Sequence, residues 1–193
     1  MNAPVLPGYW QDQGIERVLL DEATIAARVR ELGEQLCNEL DDGREIVLIP
    51  VLTGAIIFAA DLMRAMPTRV RFSLVSVASY GASITSQGAV RSGALPANLA
   101  GKHVVIVDEI LDSGATIHLL RKEIGELNAH SLRVCVLLRK QNEKALSTPC
   151  EMVGFDIPDI FVVGYGLDYD GSFRNMPFVG VLNLASIGMG SKG

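Results

Sequence analysis

Residues 104–117 read VVIVDEILDSGATI: four β-branched residues run into two adjacent acids and then into Asp112-Ser113-Gly114-Ala115-Thr116. An apolar run that gives way to acids and small hydroxyl residues predicts a buried parallel strand, Val104–Val107, emptying into a turn at the start of a helix. Open α/β sheets place their ligands at such a turn. Free backbone N–H groups at a helix N-terminus bind a phosphate dianion, Ser113 and Thr116 offer hydroxyl donors, and Gly114 permits close backbone approach. Acids beside a phosphate need a polyol, a cation or a developing positive charge for company, so Asp108 and Glu109 point to ribose hydroxyls, a metal or an electron-poor carbon. A ribose phosphate meets all of these demands. The plainer reading is a strand followed by an Asp or Ser N-cap, which any α/β protein can show. This stretch contains neither the Walker lysine pattern nor GxGxxG, so the common nucleotide-binding alternatives lose support.

The remaining composition sets the frame around this stretch. At 193 residues and 49% hydrophobic content the expectation is one domain with a sizeable core. A formal net charge of −5 argues against broad nucleic-acid binding, which needs a basic footprint. Cys37, Cys135 and Cys150 are odd in number and lack metal-ligand spacing, as expected of reduced thiols in a cytoplasmic protein. The most apolar segment, Ile46 to Ala60, is broken by Pro50, Thr53 and Gly54, so neither a membrane span nor a signal peptide is expected.

Along the chain, Ile25, Val29, Leu32, Leu36 and Leu40 recur at steps of three and four, which predicts an amphipathic helix over 21–40 with Arg28, Arg30, Glu31 and Glu34 on a solvated face. Ile46–Leu52 predicts a strand, followed by Thr53-Gly54 and a helix ending before Pro67. Further strands are expected over 69–77 and 132–138, with a helix over 116–127. Strands alternating with helices mean a mostly parallel, twisted α/β sheet with helices on its faces. The Ser- and Gly-rich connection at about 79–97 reads as a flexible lid or as a β-ribbon without consequence. After Cys150 the helical rhythm disappears, and the apolar run 161–165, leading to Asp168-Tyr169-Asp170 and Phe173-Arg174, reads as a cap over a site rather than a continuation of the sheet. Residues 186–193 read as a frayed end. His103, His118 and His130 have no metal-like spacing and receive no chemistry.

Four stretches, Leu52-Thr53-Gly54-Ala55, Ser79-Tyr80-Gly81, residues 107–116, and FVVGYGLDY (161–169) with Arg174, resemble in order and spacing the hypoxanthine-guanine phosphoribosyltransferases of the type I phosphoribosyltransferase family, from about Val47 to Leu182. The resemblance implies a single domain over 1–193, with the N-terminal segment and about 150–190 forming a small hood over the C-terminal edges of the strands. It implies transfer of the 5-phosphoribosyl group from phosphoribosyl pyrophosphate (PRPP) to a 6-oxopurine, with Mg2+, in a cytoplasmic homodimer or homotetramer. Asp108 and Glu109 would hold the ribose hydroxyls and favour the electron-poor sugar. Asp112 would be the general base, unless it is merely an N-cap. Ser113, Gly114, Ala115 and Thr116 would cradle the 5′-phosphate. Leu52, Thr53 and Gly54 would receive pyrophosphate with Arg174, Asp168 would ligate Mg2+, and Ser79 and Tyr80 would belong to the lid. Lys140 would donate to the purine 6-oxo group, Phe161 would stack on the ring and Val162 would read its edge. By residue type alone Lys140 also fits a solvated basic residue, Phe161 a core residue and Asp168 a surface acid.

Two departures stand out. The acid pair is Asp-Glu where many members have Glu-Asp, which keeps both carboxylates. Thr53 stands where some members have lysine, which shifts more of the PRPP binding onto Mg2+ and Arg174. Competing readings are a xanthine-preferring enzyme on the same fold and an RNA-binding or effector-sensing regulator that keeps the fold. An adenine enzyme is disfavoured because the Lys140 ammonium cannot accept from an amino group.

Overall fold

The computed structural model describes residues 6–78, 90–92, 95, 96 and 98–186. In chain order the elements are α1 (Gly8–Gln11), β1 (Ile15–Leu20), α2 (Glu22–Glu39), β2 (Ile46–Leu52), α3 (Ile56–Ala65), β3 (Val70–Phe72), β4 (Val75–Ala78), β5 (Val90–Ser92), β6 (His103–Leu111), α4 (Ala115–Gly125), β7 (Ser131–Lys140), α5 (Glu143–Ser147), β8 (Met152–Ile157), β9 (Val162–Val163) and β10 (Val179–Leu182). The Asp21 carboxylate caps α2 by accepting from the Thr24 N–H at 2.7 Å, the reason this helix starts where its apolar stripe starts.

The main sheet runs β5-β4-β2-β6-β7-β8, with β3 also against β2. Every pairing in it is parallel except β4 with β5. Alternate residues of the central strands point to opposite faces and both sets are buried. Leu48, Val105, Val107, Cys135 and Leu137 pack beneath α2 and α3, whereas Val47, Ile49, Val104, Ile106, Val134 and Val136 pack with Ile117, Leu120 and Ile124 of α4. From β2 the chain passes through α3 to β3 and β4 on one side, then returns to β6 on the other. Strand order reverses between β2 and β6, so their C-terminal loops diverge and leave a crevice.

Three expectations needed correction here. The stretch between Cys150 and Phe161, where no strand was expected, continues the sheet: β8 pairs in parallel with β7 from Cys135↔Met152 to Lys140↔Ile157. Arg28 is not simply solvated, because its guanidinium donates to the carbonyls of Gly154 at 3.0 Å and Val153 at 2.9 Å and so ties α2 to β8. The span 69–77, expected as one strand, is two short ones.

A second antiparallel sheet, β1-β10-β9, joins residues from the two ends of the chain. Its apolar side is filled by Leu6, Ile15, Val163, Met176, Phe178 and Leu182, with Trp10, Tyr169 and Phe173 against them. Ser79, Tyr80 and most of the expected lid lie outside the described residues, as do residues 187–193. The described part of that connection, β5, pairs antiparallel with β4.

Candidate active site

The crevice between β2 and β6 opens into a cleft of about 790 Å³. Its floor is the last third of β6. The acids do not end that strand, as expected from sequence; they lie inside it, because the parallel register with β7 runs on through Asp108↔Val136 to Leu111↔Arg139. Asp108 is only 6% exposed. Burial, followed by the charge of neighbouring Glu109, pushes its carboxyl well above the ordinary aspartate value. Burial likewise raises Glu109, with Arg174 opposing from across the cleft. Glu109 Oε2 is buried without a hydrogen-bond partner. Two buried carboxylates with an unanswered acceptor ask for hydroxyl donors or a cation.

One wall is the β2–α3 turn. The Leu52–Thr53 peptide is cis. Gly54 is pressed against Glu109: a Cβ placed on Gly54 would lie 1.9 Å from Glu109 Oε1, and a Cβ on Gly166 would lie 2.2 Å from the Gly54 carbonyl oxygen. Only a residue without a side chain lets this turn lie against the acid.

The opposite wall is the turn from β6 into α4. The N-cap is Gly114, at φ 74°, with no side-chain cap hydrogen bond. Asp112 is therefore not an N-cap, and the plainer reading of this stretch fails. Near the first turn, Ser113 Oγ accepts only a long 3.4 Å contact from the Ala115 N–H, so the N–H groups of α4 face the cleft beside Thr116. Asp112 instead looks across to the end of β7, accepting from Asn142 Nδ2 at 3.1 Å and pairing with Lys140 Nζ at 2.9 Å. Lys140 also pairs with Asp159 at 3.2 Å. Partial burial works against the ammonium charge, and the two acids outweigh it and raise Lys140 above the ordinary lysine value.

At the far rim Arg174 donates to the Gly166 carbonyl at 2.6 Å and pairs with Asp168 Oδ1 at 2.8 Å. Asp168 Oδ2 accepts from the Gly171 N–H. Asp168 is thus a held acid at the cleft, not a free surface carboxylate.

The structure gathers Leu52, Thr53 and Gly54, the acids of β6, Ser113 to Thr116, Asp168 and Arg174 on one cleft. Lys140 stands behind its wall, touching it through Asp112 and Asp159. Phe161 and Val162 lie off that wall. Phe161 is 39% exposed with its ring edge-on to Tyr169, centroids 5.9 Å apart, and Val162 is buried in β9 opposite Val181. Sequence reasoning missed Asn142 and Asp159, which line the cleft, and Thr148, which packs against Gly114. Asn142 carried a signal, an N-cap residue ahead of Glu143, and its Oδ1 does cap α5. The other two carried none.

Comparison with known proteins agrees with this geometry. Residues 18–170 match the phosphoribosyl transferase domain. The hypoxanthine-guanine phosphoribosyltransferase of Mycobacterium tuberculosis is 43% identical over 175 residues, covering 88% of this chain and 87% of that protein. That of Bacillus subtilis is 38% identical, covering 89% and 95%. Among solved structures, a hypoxanthine phosphoribosyltransferase from Staphylococcus aureus superposes with a TM-score of 0.84 at 31% identity, covering 92% of this chain and 97% of that one. A cleft floored by two buried acids and walled by an uncapped helix start, on a sheet shared with these proteins, places the chain in the phosphoribosyltransferase family, among the hypoxanthine-guanine phosphoribosyltransferases.

Proposed function

We propose that the protein salvages purine bases by transferring the 5-phosphoribosyl group of PRPP to hypoxanthine or guanine, releasing pyrophosphate and giving IMP or GMP. The observation that carries this reading is the uncapped N-terminus of α4 sharing one cleft with the buried pair Asp108 and Glu109. The helix start and the hydroxyls of Ser113 and Thr116 bind the 5′-phosphate. Asp108 and Glu109 accept from the ribose hydroxyls, and their negative charge favours the sugar as it becomes electron-poor in the transition state. Pyrophosphate leaves along the Leu52–Gly54 turn, toward Arg174, whose planar fork suits phosphate oxygens.

Asp112 takes the purine proton. Lys140 spends two of its three N–H donors on Asp112 and Asp159, and the third donates to the 6-oxo oxygen, which selects 6-oxopurines over adenine. Phe161, exposed on one side, offers a ring face to the base, and the Val162 backbone reads the edge of that base. The unsatisfied Glu109 Oε2 and the oxygen-only donor set of Glu109, Asp108 and Asp168 fit Mg2+. When bound, that ion neutralises charge on the leaving pyrophosphate.

The hood-and-lid division, with β1, β9 and β10 as hood and residues 79–97 as lid over one domain, belongs to the same proposal, as do a homo-oligomeric, cytoplasmic enzyme. Among the described residues no helix is long and apolar enough to cross a membrane. The deciding experiment is product formation from hypoxanthine, guanine, xanthine and adenine, each with PRPP and Mg2+. IMP or GMP is expected. An enzyme that turns over neither hypoxanthine nor guanine at saturating PRPP ends this reading.

A further inference from the structure

At the opposite end of the main sheet from the cleft, three side chains that are far apart in sequence converge. His103 is the first residue of β6, His130 ends the α4–β7 turn, and Asp42 lies in the α2–β2 turn. Adjacent parallel strands hold them: β6 pairs with β7 at His103↔Ser131 and with β2 at Ile46↔His103. The His130 N–H donates to the Lys102 carbonyl at 2.8 Å and the His103 N–H to the Glu45 carbonyl at 3.0 Å. These ligand-type groups therefore sit on a rigid edge rather than on independent loops.

Their geometry is that of a coordination shell. His103 Nε2 is 2.9 Å from Asp42 Oδ1, and His130 Nε2 is 3.6 Å from Asp42 Oδ2. One donor atom from each residue lies within 4.8 Å of the other two, the single such group among the described residues. A tetrahedral ion with bonds of roughly 2.0–2.1 Å sets its ligands about 3.4 Å apart, so small rotations would bring all three onto one centre. The imidazole rings meet edge to face with centroids 5.0 Å apart, so they do not stack out the space between them. His103 is 5% exposed, and its Nδ1 lies 2.6 Å from Ser131 Oγ. The hydroxyl both donates and accepts, so it serves as the outer partner that ligating histidines require when Nε2 turns to a metal.

We propose that Asp42, His103 and His130 bind one divalent transition-metal ion of the zinc, cobalt or nickel class, at a site separate from the transferase cleft. Two imidazoles and a carboxylate suit such ions and not Mg2+, which prefers oxygen. Arg44 also pairs with Asp42, but it is 44% exposed, and an exposed ion pair contributes little against coordination. Open coordination positions fall to solvent. The ion would fasten the turns before β2, β6 and β7 to one another.

The test uses the full-length, tag-free protein kept in excess Mg2+, titrated with Co2+ and followed by calorimetry and by the visible absorption of the ion, with Zn2+ displacement as a second readout. One equivalent is expected to bind. His130→Ala and Asp42→Asn, both changes at partly exposed positions that leave the core intact, should each weaken it roughly tenfold or more, an effect at least that of losing an outer partner. His118→Ala, on α4, should bind as wild type does. Zn2+ should raise the thermal midpoint of the wild type and not that of His130→Ala. The proposal is overturned if the wild type takes up no Co2+ under these conditions, or if His130→Ala binds Co2+ as tightly as wild type.

Discussion

Asp112 is held from both sides, by the Asn142 amide on Oδ1 and the Lys140 ammonium on Oδ2, so its neighbours fail in different ways when removed. Asp112→Asn keeps the shape but cannot take a proton, and kcat should fall by roughly a hundred- to ten-thousand-fold, with PRPP affinity changing less. Lys140→Ala removes the donor to the base and frees Asp112 at once. Steady-state kinetics with hypoxanthine and adenine should therefore show a raised purine KM and weaker rejection of adenine, by about 1.5–3 kcal/mol. Unchanged purine preference would leave Lys140 a structural partner of its two acids. Asp108 is tested through stability. Its folded value lies above the ordinary 3.8, so the stability it contributes is fully present below that pH and is lost as pH rises through the raised value. Asp108→Asn removes that loss, so its thermal midpoint should pull ahead of wild type as pH increases from about 4. Each 1 kcal/mol gained reads as roughly 2–4 °C in a chain of this size. A constant offset at all pH values would show that burial does not raise the Asp108 carboxyl. Residue chemistry made Asp108, Glu109 and Ser113–Thr116 legible from sequence, because acids and hydroxyls beside a strand end have few structural uses. Asp159 was not legible, since it meets Lys140 only through the β7–β8 pairing.

The start of α4 shows what an element contributes that its residues do not. Gly114 sits at φ 74° with Thr148 packed against it, and a Cβ there would lie 2.0 Å from Thr148 Oγ1. Gly114→Ala should cost about 1–3 kcal/mol by urea denaturation and raise the KM for PRPP, because the turn can only relieve the clash by turning its N–H groups aside. Full affinity for PRPP in this variant would remove the helix start from the phosphate site. Helix periodicity made α2 legible to within a residue or two, and the β-branched run placed β2 over 46–52. The edge strand β8 was missed for a physical reason. Only Met152 and Ile157 are buried in it, so it lacks the continuous apolar run of a central parallel strand, and the carbonyls of Val153 and Gly154 are met by the Arg28 side chain.

At the scale of the molecule, the second sheet packs on the main core through Val162, Val179 and Val181, and just beyond β9 the Tyr165 hydroxyl donates to Asp61 of α3. Burial and then the Asp61 charge push the phenol above the ordinary tyrosine value, so it remains a donor. Tyr165→Phe should cost about 0.5–1.5 kcal/mol, the net worth of one hydrogen bond, measured by denaturant melts. A neutral substitution would mean that this hydrogen bond adds nothing to the packing between the two sheets. Residues 104–117, the alternation of strands and helices and the ordered motif stretches were enough to determine the α/β class, the turn into α4 and the family, because periodicity, turn chemistry and side-chain type are local properties of the chain. Tertiary structure alone decided that residues near both ends share a sheet, as β1 pairs with β10 at Ile15↔Leu182. It alone turned Lys140 toward two acids, and it alone brought Asp42, His103 and His130 together at the far edge. Each of these depends on strand register between segments distant in sequence, and register is settled by burying both faces of the sheet at once, which no local window of sequence records.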